Sequence, residues 1–266
     1  MNQASSRHSA PPRLERPSPI AFILLLAFAA FFISGFSSAD IHSDRLLRGV
    51  MNLGTFFGEA LPPDFARWDV IAMAMLETFQ MAIVGVLFGV ILSLPMALLC
   101  ARNTSPHPVI RVIARNLVAT LRTVPDLVWA LIFVVAVGLG PLAGILAIIM
   151  DTIGFCARFF SERIEEVDPG PGQALAATGA SRSGVVCGAI LPECTPSFVA
   201  TSLFSVEKAV RSAVVLGLVG AGGIGVELSA AMSLFRYDQA LTVILAILLV
   251  VIGVEQVSAW IRKRVI

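Results

Sequence analysis

The chain has 266 residues, of which 57% are hydrophobic and only 14% are charged, and its formal net charge is +1. An ordinary soluble domain carries about 25% charged residues, so this composition excludes a soluble globular protein and predicts an integral membrane protein in a lipid bilayer. The near-neutral net charge gives no indication of a nucleic-acid partner.

Six apolar segments are long enough to cross a bilayer, since a transmembrane helix needs about 20 mostly apolar residues. In chain order they are predicted at about 20–37, 69–100, 109–137, 142–160, 196–217 and 239–260. The fold class is therefore an all-α integral membrane protein with about six transmembrane helices. The first segment ends in small residues that resemble a signal-peptide cleavage site, but its length favours a retained anchor.

Three shorter features lie in or between these segments. Residues 38–68 contain apolar side chains at roughly helical spacing and predict an amphipathic helix that ends before Asp64, either as an interface helix without special function or as a partner contact. Pro125 disrupts helical hydrogen bonding, so the third span is predicted to break at 122–126. Residues 138–141 read GLGP and predict a tight turn.

Positive charges predict the orientation of the spans. They cluster before the first span, between the second and third, between the fourth and fifth, and after the sixth: Arg7, Arg13, Arg16, Arg102, Arg111, Arg115, Arg158, Arg163, Arg182, Arg262, Lys263 and Arg264. All four clusters fall on one side of a six-span protein, so that side and both termini are predicted to be cytoplasmic. The outer segment 38–68 opposes this pattern, with Arg45, Arg48 and Arg67.

A glycine-rich run, GLVGAGGIGVEL at 217–228, contains a formal match to the dinucleotide fingerprint G-x-G-x-x-G. That fingerprint requires a strand before the glycines, a helix after them and an acidic residue about twenty positions later. Here an apolar span comes first and no strand–helix alternation exists, so we do not expect a bound dinucleotide. The glycines are instead predicted to allow tight helix packing or to line a path at an outer turn; they are Gly220, Gly222, Gly223 and Gly225.

The longest inner connection, residues 158–195, carries a segment built of small residues. Asp168 and Pro169 are typical of an N-cap and a first helical position, and a short helix is predicted over 171–183. A helix dominated by alanine and glycine does not build a hydrophobic core. It suits a groove on another protein.

This segment resembles the cytoplasmic loop of ATP-binding-cassette (ABC) importer permeases, which reads E-A-A-x-x-x-G, nine residues, and I-x-L-P. The resemblance assigns coupling to a partner ATPase to Gln173, Ala174, Leu175, Ala177, Thr178, Gly179, Leu191 and Pro192. The sequence departs from the pattern at three places: Gln173 replaces the acidic residue, Leu175 an alanine and Ala189 the isoleucine.

The runs at 122–147, 152–181 and 206–245 resemble the phosphonate-importer permease subfamily, and the likeness covers most of the chain from about Arg67. The resemblance implies a bacterial inner-membrane permease that passes a small phosphorus oxyanion (phosphonate, phosphite or hypophosphite) by alternating access. It also implies a homodimer, two cytoplasmic ATPase subunits and one periplasmic binding protein. A permease for another small solute and, less favoured, a stand-alone secondary transporter remain alternatives.

No ATP hydrolysis is expected in this chain, because it contains no G-x-x-x-x-G-K-[ST] loop. No other enzymatic activity and no cofactor are expected, because the three histidines are scattered and no H-E-x-x-H motif is present. ATP and Mg²⁺ are expected in the partner ATPase. The scattered cysteines and histidines do not have the spacing of a metal site or a disulfide framework. With these expectations the chain divides into a cytoplasmic tail at 1–19, a first transmembrane helix at 20–37, a periplasmic segment at 38–68 and a permease core at 69–266 that includes the coupling loop 158–195.

Charged residues inside the spans are candidates for the translocation path, because a charge in the bilayer costs at least about 2.5–3.5 kcal/mol and usually faces a partner or a cavity. The candidates are Arg122, Asp126, Glu207, Arg211, Glu77 and Asp151. Glu207 with Arg211, and Arg122 with Asp126, stand four residues apart and can pair on a helix. Each pair is either a neutralised structural pair or provides an arginine to an oxyanion. Glu77 and Asp151 are weaker candidates, being near a span end or alone.

Overall fold

The computed structural model describes residues 18–38 and 43–265, and within these residues the secondary structure is helical. The helices are α1 Pro19–Ser38, α2 Ser43–Ala60, α3 Trp68–Cys100, α4 Pro108–Thr123, α5 Asp126–Val137, α6 Pro141–Glu166, α7 Pro169–Ala177, α8 Arg182–Val185, α9 Leu191–Leu218, α10 Ile224–Ser233 and α11 Tyr237–Val265. A π-helical turn, Val186–Ile190, joins α8 to α9. The predicted tail 1–19, with its three arginines, lies almost entirely outside the described residues.

The predicted spans are confirmed as long apolar helices. Five of them in the described part of the chain have the length and hydropathy to cross a membrane: α1, α3, α6, the continuous helix Arg182–Leu218, and α11. The sixth is the pair α4–α5, which bends by 89° at the predicted break. Pro125 lies at this bend as the residue that precedes α5.

The chain divides into two compact units, one up to Phe56 and one from Phe57 onward. In the first unit, α1 is apolar along its whole length and has no buried residues. The predicted amphipathic helix is α2, which ends at Ala60 before the two prolines. The second unit contains the core and every candidate site residue, and it is described by itself below.

The core of the second unit is built on the contact between α3 and α6. Gly85 and Gly89 let the two helices approach closely, as the G-x-x-x-G spacing allows. A Cβ atom at Gly85 would lie 2.6 Å from Ile148 Cγ2, and one at Gly89 would lie 2.5 Å from Thr152 Cβ. The Ser93 hydroxyl, which is also buried between these helices, donates to the carbonyl of Gly89 at 2.6 Å.

A polar cluster ties the segment before α3 to the start of α11. Asp64 Oδ1 accepts a hydrogen bond from Ala66 N at 2.8 Å, and Gln239 Nε2 donates to Asp64 Oδ2 at 3.1 Å. The Thr242 hydroxyl donates to the Asp64 carbonyl at 2.8 Å. The backbone bond from Ala66, followed by the bond from Gln239, lowers the pKa of Asp64 below its ordinary value.

Candidate translocation path and coupling loop

An ion pair between Asp151 of α6 and Lys208 of α9 lies on the contact between these two helices. Lys208 Nζ donates to Asp151 Oδ1 at 2.7 Å and to Oδ2 at 2.8 Å. The prediction that Asp151 is alone is therefore wrong. Sequence spacing could not find this partner, because the two residues are 57 positions apart.

The Asp151–Lys208 pair belongs to a partly open face shared by α6 and α9. One helical stripe of α6 and one of α9 supply its residues: Asp151, Phe155, Phe159, Phe204, Lys208 and Arg211. The Phe155 ring stacks on Phe204 with centroids 5.6 Å apart, and Lys208 Nζ lies 5.3 Å from the centroid of Phe155. This set of six residues is called the α6–α9 face below.

Arg211 is the second cation of the α6–α9 face. It follows Lys208 by three positions on α9, so both side chains lie on one side of that helix. The Arg211 side chain is exposed and forms no ion pair within the described part of the chain. With Asp151 bound to Lys208, the net formal charge of the face comes from Arg211.

The predicted pairing of Glu207 with Arg211 is wrong. Arg262 Nη1, near the end of α11, donates to Glu207 Oε1 at 2.7 Å instead. The Glu207 side chain is 7% exposed, so the carboxylate of this pair is buried between α9 and α11. The Arg262 side chain is 29% exposed and lines a pocket with Phe155, Phe159 and Phe204. Consecutive residues on a helix point about 100° apart, which explains why Glu207 and Lys208 find partners on different helices.

The predicted pairing of Arg122 with Asp126 is also wrong. The spacing of four residues brings side chains together only within one helix, and here α4 ends at Thr123 while α5 begins at Asp126. Asp126 Oδ1 instead accepts from Leu127 N at 3.0 Å, within the first turn of its own helix. The backbone of Arg122 packs on α6, where a Cβ at Gly154 would lie 2.9 Å from Arg122 N.

Glu77 and its neighbour Thr78 cap the N-terminus of α10. The first amides of a helix have no partner within that helix, and a carboxylate there is favoured by the helix dipole. Gly223 N donates to Glu77 Oε1 at 3.1 Å, and Ile224 N donates to Thr78 Oγ1 at 2.7 Å. Helix α10 itself was not predicted, since it lies between the fifth and sixth predicted spans, 196–217 and 239–260.

The glycine run packs α10 against α9 and against the turn before α6. A Cβ at Gly225 would overlap the carbonyl oxygen of Val214 and lie 2.8 Å from Gly217 Cα. A Cβ at Gly222 would lie 2.9 Å from both Pro141 N and Glu77 Oε1. Tight helix packing, one of the two roles predicted for these glycines, is therefore confirmed.

The remaining two glycines of the predicted set lie in the same turn. The Gly220 carbonyl accepts from Gly140 N at 3.0 Å, which joins the glycine run to the predicted tight turn at 138–141. At Gly223, a Cβ would lie 2.5 Å from Thr78 Oγ1, the group that caps α10. Both positions therefore hold backbone close to α3 or to the start of α6.

The predicted coupling helix forms, but it is shorter than expected. Asp168 caps α7 by accepting from Gly170 N at 2.9 Å, and Pro169 is the first helical residue, as predicted. The helix ends at Ala177 rather than near residue 183. Gly179 follows it with a φ of +88°, and a Cβ added there would meet no atom within 4 Å. Glycine adopts this backbone conformation without strain at a helix C-terminus.

Two faces of α7 have different surroundings. On the inner face, Leu175 packs against Gly188 of the π-helical turn, where a Cβ would lie 3.0 Å from Leu175 Cδ2. The outer residues are exposed to the surroundings: Gln173, Ala174, Ala177 and Thr178. Leu191 is half-buried at the start of α9, and Pro192 beside it is exposed. Pro192 cannot donate a backbone hydrogen bond, and the helix takes its π-helical form immediately before it.

Polar contacts join this loop to the ends of the long helices. Arg182 Nη2 donates to the carbonyl of Ser105 at 2.7 Å, in the connection between α3 and α4. Glu165, near the end of α6, accepts from Arg115 Nη2 of α4 at 2.8 Å. Asn103 Nδ2 donates to the carbonyl of Ile164 at 2.6 Å. The start of α8 is thus bonded to the same connection that holds α3, α4 and α6 together.

The comparisons with known proteins identify the family. The family model described as "binding-protein-dependent transport system inner membrane component" matches residues 85–266. The chain belongs to this family. It is also 40% identical over 224 residues to the phosphite transport system permease protein PtxC of Stutzerimonas stutzeri, which is 84% of this chain and 82% of that protein. The chain is therefore a multi-pass permease subunit of the ABC importer type.

A second curated relative of the permease and one solved structure extend this result. The phosphate-import permease protein PhnE of Mycolicibacterium smegmatis is 36% identical over 211 residues, which is 79% of this chain and 40% of that protein. A chain of the MetNI methionine ABC transporter, in an inward-facing conformation, matches with a TM-score of 0.67 over 76% of this chain and 99% of that chain. At 20% identity this last likeness shows the fold alone.

Lys208 and Arg182 of the permease were missed as site residues. Lys208 carried a usable signal, because a lysine inside an apolar span needs a partner or a cavity. Arg182 carried none, because its acceptors are backbone carbonyls far away in sequence. Hydrogen bonds to backbone carbonyls leave no residue-type pattern, so they require the folded chain.

Proposed function

We propose that the permease forms the translocation path for a small phosphorus oxyanion: phosphite, hypophosphite or a phosphonate. The observation that carries this proposal is the cationic α6–α9 face, with Lys208 and Arg211 three positions apart on one long helix. The 40% identity to a phosphite transport system permease supports the same substrate class. Since the second relative is named a phosphate-import permease, phosphate is the alternative oxyanion.

The chemistry of the face suits such an anion. An ammonium is a compact point charge for phosphorus oxygens, and a guanidinium offers a planar pair of N–H donors to two of them. The aromatic rings of Phe155 and Phe204 line the face beside these cations. They limit hydration there and so strengthen the attraction of each cation for the anion.

The assembly we propose is a homodimer of permeases with two cytoplasmic ATPase subunits and one periplasmic binding protein. ATP and Mg²⁺ bind to the ATPase subunits, and this chain contributes no catalytic group. The protein lies in a bacterial inner membrane with both termini in the cytoplasm, because the positive clusters flank the spans on that side.

In this assembly the exposed side of α7 docks on the ATPase. Closure of the ATPase dimer moves α7, and α7 passes the motion to α9 through the contact of Leu175 with Gly188. Arg182 passes it to the connection between α3 and α4. The spans then change between two packed arrangements, and the path opens alternately to each side of the membrane.

The test is uptake by the reconstituted complex. Liposomes with permease, cognate ATPase and binding protein are assayed for ATP-dependent accumulation of phosphite, hypophosphite, methylphosphonate and phosphate, each with and without binding protein. Accumulation of one of the first three that needs both partners supports the proposal. Accumulation of phosphate alone moves the assignment to the alternative oxyanion. ATPase stimulation by an unrelated solute, without uptake of any of the four, refutes a phosphorus substrate.

A matched pair of variants tests the role of the face in the same assay. Arg211→Met removes a cation from the α6–α9 face and is expected to lower the uptake rate at least ten-fold. Lys263→Met removes an exposed cation at the end of α11 and is expected to leave uptake unchanged. Equal uptake by the two variants would remove Arg211 from the path.

A further inference from the structure

Two ion pairs on α9 differ in a way that a purely neutralising role does not explain. The neighbours Glu207 and Lys208 each bind an opposite charge on another helix at 2.7 Å. In the Glu207 pair the guanidinium of Arg262 is 29% exposed, but the carboxylate is only 7% exposed and hence buried. In the Asp151–Lys208 pair the carboxylate is 21% exposed and the ammonium 35%. A solute on the α6–α9 face can therefore reach Lys208.

The open pair lies beside a cation that forms no ion pair among the described residues. Arg211 is one turn further along the same stripe of α9, so an anion at Arg211 stands next to the Asp151–Lys208 pair. An ammonium has three donors, and both oxygens of Asp151 accept from that of Lys208, at 2.7 and 2.8 Å. A phosphorus oxyanion presents the same kind of acceptor oxygens as the carboxylate that it would replace.

We propose that Asp151 is an intramolecular competitor of the transported oxyanion. It holds the Lys208 ammonium when the path is empty, gives it up to the anion that has reached Arg211, and takes it back when the anion leaves. The inference rests on the proposed function and adds the means by which the affinity of the same site for the anion is kept low. Two free cations would hold the anion firmly, whereas a path must bind weakly enough to release its ion.

The surroundings of Lys208 allow this exchange without unfolding. Its ammonium also lies 5.3 Å from the centroid of the Phe155 ring, and a cation over an aromatic face keeps a favourable contact when its carboxylate leaves. Its flexible four-carbon stem lets the charge shift while the backbone of α9 stays packed. Lys208 therefore changes partner by side-chain rotation alone.

The experiment measures binding and uptake on the full complex with permease, ATPase and binding protein. Asp151→Asn removes the competitor and keeps both cations. The KM for phosphite is therefore expected to fall at least ten-fold, and the maximal uptake rate is expected to fall several-fold because the anion leaves more slowly. Asp151→Asn with Lys208→Met removes both charges, and this neutral variant is expected to insert normally but to lose uptake at least ten-fold. The control Lys263→Met removes an exposed cation at the end of α11 and is expected to change neither quantity.

The outcomes separate the two proposals. If the wild-type complex takes up phosphite and the Asp151→Asn variant has the same KM and maximal uptake rate as the wild type, the inference is overturned and the proposed function stands. If the double neutral variant takes up phosphite at the wild-type rate, the inference is also overturned, because the pair is then structural only. This result decides the matter even if the Asp151→Asn variant does not assemble. Failure of the wild-type complex to take up any phosphorus oxyanion overturns the proposed function, and the inference with it.

Discussion

The substitution Gly225→Ala tests whether the glycine run holds backbone against backbone. An alanine Cβ at this position would overlap the Val214 carbonyl oxygen and lie 2.8 Å from Gly217 Cα, where ordinary contact begins at 3.4 Å. The obstructing atoms belong to the backbone of α9 and cannot rotate away. Helix α10 must therefore move away from α9, and the capping bonds from Thr78 and Glu77 lengthen with it.

The size of the effect follows from two opposing contributions. Overpacking of this kind costs about 1–3 kcal/mol, and the upper part of the range applies when backbone must move. Replacing a helical glycine by alanine returns up to about 1 kcal/mol through helix propensity. The net destabilisation is about 1–2 kcal/mol, which lowers the Tm of a chain of this length by roughly 2–8 °C.

The chain contains a matched control for this substitution. Gly253 lies within α11, and a Cβ added there would meet no atom within 4 Å, so Gly253→Ala gains the helix-propensity contribution without a clash. Thermal unfolding of the purified permease is measured for both variants and the wild type. A Gly225→Ala variant as stable as Gly253→Ala would refute the backbone contact between α9 and α10.

Four further predictions concern the coupling loop and the segment before α3. Gly179→Leu strains a backbone with a φ of +88° and is expected to leave the permease inserted but to lower uptake per ATP hydrolysed several-fold; unchanged stoichiometry in liposomes would contradict this. Arg182→Met removes the bond to Ser105 and is expected to uncouple hydrolysis from uptake in the same assay, with Arg182→Lys intermediate. Cys187 is exposed while the other three cysteines are buried, so a maleimide should label it first and more slowly once the ATPase is bound; equal labelling with and without ATPase would argue against docking at this loop. Asp64 has a lowered pKa, so its stabilising contacts are present above its ordinary value of 3.8 and are lost as the pH falls below that value; acid unfolding of Asp64→Asn and wild type should therefore differ near neutral pH and converge in acid.

Features that depend on local sequence were predicted well. The spans follow from runs of apolar residues, and the break of the third span follows from Pro125, which cannot donate a backbone hydrogen bond. The start of α7 follows from Asp168 and Pro169, whose side chain and ring fit an N-cap and a first helical position. Each of these causes acts within a few residues, and so each is visible in the sequence.

Contacts between distant residues were not predictable in this way. Glu207 was paired with Arg211 because spacing is the only information that a single helix offers, but the fold supplies Arg262 from α11. Helix α10 was missed because the segment 218–238 is short and rich in glycine. Its first amides are capped by Glu77 and Thr78, 146 positions earlier in the chain.

The distribution of these contacts indicates which parts of the permease move as units. At the glycine run, backbone meets backbone, and at the ends of α3, α4 and α6, Glu165 and Arg182 fix neighbouring segments through short polar bonds. Packed backbone and bonded helix ends resist small deformations, so we expect motion from the proposed ATPase partner to displace whole helices. Along α6 and α9, the α6–α9 face lies between these two regions, and it contains an exchangeable ion pair. A change in the packing of α9 on α6 therefore alters the distance between Asp151 and Lys208, and we expect the affinity of the path for its anion to change in step with the ATPase cycle.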